Sequence, residues 1–141
     1  MNATETIAAA TWDISEAALT ARNAARIAAI ECVGACDLAD DAVDAIRAGH
    51  PVRELLTAAL AAANRTFAAG RGTVEPVEIA ERASLSVMEY ANDPQHKKSI
   101  DEIIRHSRTI TTAAEGAIAA ADRAKAALIA AFTAYEKANE A

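Results

Sequence analysis

The chain has 141 residues and a net charge of −6, and 52% of it is hydrophobic, most of that share coming from about 40 alanines. A chain of this length can bury a core as a single domain without disulfide or metal staples, and the acidic balance argues against a general polyanion binder, so no nucleic acid is expected as partner. Charges interrupt every apolar run well short of the roughly 18 residues that a membrane span requires.

Alanine is the best helix former because it has no side-chain entropy to lose. With only 5 Gly, 3 Pro and 4% aromatics, the chain has no alternating β-branched or aromatic run from which to build a strand. The fold class expected is all-α, one helical-bundle domain over 1–141. Residues 1–10 include Glu5 and no basic residue ahead of their short apolar run, unlike a secretory leader, so the cytoplasm is the expected location.

Each proline lies where a helix begins, and glycine or asparagine stands before each of them: Gly49 ahead of Pro51, Gly70 and Gly72 ahead of Pro76, Asn92 ahead of Pro94. This punctuation predicts helices near 3–48, 51–69, 76–91 and 94–139. The first has a seam at Ile7, Ile14, Ala21, Ala28, Ala35 and Ala42, flanked by Ala18, Ala25, Cys32, Ala39 and Ile46. Leu19, Ile27, Ile30 and Val33 point away from that seam, so this helix is expected either at the centre of the bundle or against a second copy of the chain. Gly34 is a possible break, with Asp37 as N-cap of a separate piece from Leu38 to Ala48.

Cys32 and Cys36 share a face one turn apart, which suits packing, metal ligation or redox chemistry. Two cysteines do not make a disulfide framework, and nothing nearby completes the four ligands of a zinc site, so no metal is expected and packing is the preferred reading. Asp37, Asp40, Asp41 and Asp44 form an acidic cluster without the spacing of a calcium loop; it is read as a solvated face or a surface for a basic partner.

In the second helix Val52, Leu55, Leu56, Ala59, Leu60, Ala63 and Phe67 form one apolar stripe. The last helix carries a heptad seam from Ile100 and Ile103 through Ser107, Ile110, Ala114, Ala117, Ala121, Ala124, Leu128 and Ala131 to Tyr135 and Ala138. Ile104, Thr111, Ile118 and Phe132 are read as a flanking column that widens it, and Gly116 as a possible bend. Near its start Glu102, Arg105 and His106, with Arg108, His96, Lys97 and Lys98, form the densest ionisable cluster. A carboxylate one turn from an imidazole can do acid–base work or orient a ligand; it is also what a solvated helix face looks like.

The chain lacks the Glu-x-x-His of di-iron bundles, a phosphate-binding loop and a nucleophile elbow, and no cofactor is expected. The architecture expected is an antiparallel, alanine-rich bundle of four principal helices, five or six if the long ones break near Gly34 and Gly116. The function expected is an interaction or assembly module that oligomerises or binds a partner protein, most simply as a homodimer through Leu19, Ile27, Ile30 and Val33. The alternative is a small-molecule-binding or enzymatic bundle with its site around Glu102, Arg105 and His106.

Overall fold

A computed structural model describes residues 2–140, which are all-helical with no strand among them. The α-helices are α1 (Ala3–Arg47), α2 (Arg53–Arg71), α3 (Val74–Val87) and α4 (Lys97–Glu140); short 3-10 turns occupy Met88–Tyr90 and Pro94–His96.

The helix ends follow from local chemistry. Asn2 Oδ1 accepts from the Glu5 backbone N–H at 2.9 Å and Asn2 Nδ2 donates back to Glu5 Oε1 at 3.2 Å, so the first turn of α1 is capped in both directions. At the other end Gly49 takes φ +71, a left-handed conformation that glycine adopts without a Cβ penalty. Its N–H donates to Ile46 O and that of His50 to Ala45 O, which satisfies the last carbonyls of α1. Asp93 caps the turn that leads into α4 by accepting from the Gln95 N–H at 3.0 Å, with Pro94 just inside.

Neither long helix breaks. α1 runs through Gly34, so Leu38 to Ala48 is not a separate piece and Asp37 is an interior residue rather than an N-cap; α4 runs through Gly116. An interior glycine costs about 1 kcal/mol relative to alanine. Continuity of α1 lets Ala35, Ala39 and Ala42 stay buried beyond Gly34, which outweighs that cost.

The chain forms two compact units. The first comprises the chain up to Ala25 with Arg71–Glu115, and the second comprises Arg26–Gly70 with the chain from Gly116 onward, so α1 and α4 each contribute to both. In the first unit Ile7, Ile14, Ala17 and Ala21 of α1 pack with Ala80, Ala83 and Val87 around α3, and with Ile100, Ile103, Ile110 and Ala113 of α4. Isoleucine gives this core its volume.

The second unit is built differently. Ala28, Cys32 and Ala35 of α1, Ala62 and Ala63 of α2, and Ala117, Ala120 and Ala124 of α4 form one cluster. Ala39, Ala42, Val52, Leu56, Ala59 and Ala131 form another. With almost no side chain beyond Cβ, these helices approach closely: a Cβ added at Gly70 would lie 3.7 Å from the Ala117 carbonyl oxygen.

Two faces differ from the sequence expectation. On α2 the buried residues are Leu56, Ala59, Ala62, Ala63 and Thr66, while Leu60 is exposed. The small-residue edge turns inward because only it permits the close approach, and the Thr66 hydroxyl is satisfied by donating to Ala62 O at 3.0 Å. On α4 the seam widens toward Ala113 and Ala120, leaving Ile104, Thr111 and Ile118 exposed and Phe132 half-buried.

Candidate functional site

The inward face of α1 repeats at Ala28, Cys32, Ala35, Ala39 and Ala42, and 3.6 residues per turn therefore turn Ile30, Val33 and Asp37 outward. Leu19, Ile27, Ile30 and Val33 are 57%, 49%, 64% and 62% exposed, so α1 is not enclosed at the centre of a bundle as one sequence reading had it. A single exposed leucine is ordinary. Three large aliphatic side chains within two turns, Ile27, Ile30 and Val33, instead make a contiguous patch of the kind that marks an interaction surface. They lie on the second unit, away from its alanine core.

Charged residues bound this patch. Arg26 stands at its N-terminal end and Asp37, Asp40 and Asp41 at its C-terminal end, all exposed. Further along, Asp44 makes a long 4.0 Å pair with Arg47. Glu31, on the flank toward α2, is held by Arg65 with Nε–Oε2 at 2.8 Å.

Glu102, Arg105 and His106 do come together. Glu102 Oε1 lies 3.7 Å from His106 Nε2 and 3.8 Å from an Arg105 guanidinium nitrogen. Neither distance is a hydrogen bond. Lys97, Lys98, Arg105 and Arg108 line an open surface with Asp101, and Lys97 Nζ already pairs with Asp101 at 2.8 Å. The arrangement is a solvated helix face, worth little in stability.

The structure brings residues of α1 to this cluster, which the sequence did not single out. Glu102 lines a groove of ≈ 390 Å³ with His96, Ser15, Ser99 and Thr11, and His106 is not among its walls. His96 Nε2 lies 3.7 Å from Asp93 Oδ2, and its ring sits edge-on to Tyr90 at 6.2 Å. A groove of ≈ 710 Å³ against α1 and α3 carries Asp13, Glu16 and Glu75 together with Arg82 and exposed Trp12. Among the described residues no buried side-chain polar atom lacks a partner, so neither groove presents a buried group awaiting a ligand.

Cys32 is buried and Cys36 half-buried, both as free thiols. Burial pushes the Cys36 thiol above its usual range, with Cys32 and Asp40 adding to the shift against the opposing pull of Arg123. A thiol held protonated is a poor nucleophile and a poor metal ligand. Among the described residues no three of His, Cys, Asp and Glu gather in a way that could hold a metal ion, and no helix among them is long and apolar enough to cross a membrane.

No family model matches the chain, and it matches neither a curated protein nor a solved structure.

Proposed function

We propose that the protein is a helical interaction and assembly module: an antiparallel bundle of four principal helices, acting in the cytoplasm, that presents the outer face of α1 to another polypeptide. The observation that carries this reading is the exposed patch of Ile27, Ile30 and Val33. Burying three such side chains removes apolar area from water at about 25 cal/mol per Å², a gain the isolated chain forgoes. The ionisable cluster on α4 supports the alternative, a ligand-binding or enzymatic bundle, only weakly, because its charges pair loosely and face solvent.

The two readings separate in one experiment. The combined variant Glu102→Gln, His106→Ala is expected to leave self-association or partner capture unchanged, and native mass spectrometry of the parent chain to show no stoichiometric small molecule. A bound molecule in the parent whose occupancy falls in the variant would replace the assembly reading with the ligand reading.

A further inference from the structure

We infer that the polypeptide received by this face is a second copy of the chain, docked antiparallel through α1 about a two-fold axis level with the Glu31–Cys32 peptide. This rests on the assembly reading above and adds the partner and its register. Arg26, Ile30, Val33 and Asp37 are all exposed and spaced four, three and four residues apart, the spacing of a coiled-coil seam, here on the side of the helix opposite its own core.

The charges along that seam are ordered, with the cation at the N-terminal end, the carboxylates at the C-terminal end and the apolar residues between. Neither Arg26 nor Asp37 is in an ion pair among the described residues, and Glu31, the nearest competing carboxylate, is taken by Arg65. A parallel pair would set Arg26 on Arg26 and Asp37 on Asp37. The antiparallel pair brings Arg26 level with the partner's Asp37 and Ile30 level with the partner's Val33, and by symmetry does so twice. A basic partner of another kind would satisfy the aspartates and oppose Arg26; a second copy satisfies both ends.

Gly34 fits the same geometry. It lies one heptad after Ile27 on the same flank of the seam, and a Cβ built there meets nothing within 4 Å. In the antiparallel pair it stands level with the partner's Ala29, and the partner's Ile27, level with Cys36, passes within a turn of it. Two small residues at that level, Gly34 and the partner's Ala29, leave room for the helices to approach, and a side chain at 34 would meet nothing of its own chain within 4 Å.

Sedimentation equilibrium of the full-length chain at low salt tests the docking. Arg26→Asp and Asp37→Arg should each raise the dimer dissociation constant at least about tenfold, because each sets like charges against one another twice. The double reversal, Arg26→Asp with Asp37→Arg, should return it to within about threefold of the parent. Gly34→Leu should keep its helix content, having open space around it and a better helix former in place of glycine, yet lose association. Dimerisation indifferent to all four variants would overturn this docking and leave the assembly reading standing with its interface elsewhere. Loss in the single variants without recovery in the double would overturn the antiparallel register. A chain that stays monomeric at every concentration would overturn self-docking and leave a different partner for this face.

Discussion

Ile103→Ala is expected to lower the free energy of unfolding by about 2–5 kcal/mol, toward the upper end of that range. Ile103 is fully buried beside Ile14 and Ile110 in the core of the first unit. Part of the loss is the transfer energy of the deleted methyl and methylene groups, and the rest is the cavity left behind. The cavity persists because many of the neighbours are alanines such as Ala10, Ala17 and Ala113, which have no rotamer that could swing in to fill it. Urea titration followed by circular dichroism measures this as a lower midpoint at an unchanged slope. A loss under about 1 kcal/mol would mean that the isoleucines do not carry the volume of this core.

Ala124→Leu is expected to destabilise by about 3 kcal/mol, although it adds apolar surface to a buried site. Ala124 is fully buried in the second unit, in a cluster made of Ala28, Ala35, Ala62, Ala63, Ala117 and Ala120 with Cys32. The three added carbons have nowhere to go unless the helices part, and parting them forfeits dispersion contacts along the whole alanine seam. The sign is diagnostic. In a loosely packed bundle the added burial would stabilise, so a raised urea midpoint for this variant would contradict the close approach of α1, α2 and α4 in this unit.

The inward seam of α1 was readable from the sequence because it depends on one helix alone. Ile7, Ile14, Ala21, Ala28, Ala35 and Ala42 are all buried, as the 3.6-residue period requires. Helix ends were readable for the same reason: Gly49 and Pro94 act on their own neighbours.

What could not be read was the choice among faces that depends on a partner. Hydrophobicity ranked Leu60 above Ala62 and Thr66, and Ile104 and Ile118 above Ala113 and Ala120, yet the smaller residue is buried each time. In an alanine-packed interface the face that allows the closest backbone approach goes inward, and steric fit overrides the transfer energy of a single aliphatic side chain. The same rule leaves large aliphatics outside. Leu19, Ile27, Ile30 and Val33 were set apart by their position off the seam, and their exposure follows from it.

The groove that sets Ser15 of α1 against Glu102 and His96 was not legible, because it depends on how α1 packs against α4 and the 3-10 turn before it. The sequence instead paired Glu102 with His106 through the i,i+4 rule. That pairing exists only at 3.7 Å, on a half-open surface.

The claim that α1 presents its outer face to a second copy is tested most directly by the mass of the purified chain in solution. Light scattering over a dilution series from hundreds of micromolar to micromolar should give twice the 14.7 kDa of the single chain at the concentrated end, with a reversible fall toward the monomer on dilution. A mass of 14.7 kDa throughout the series would contradict it.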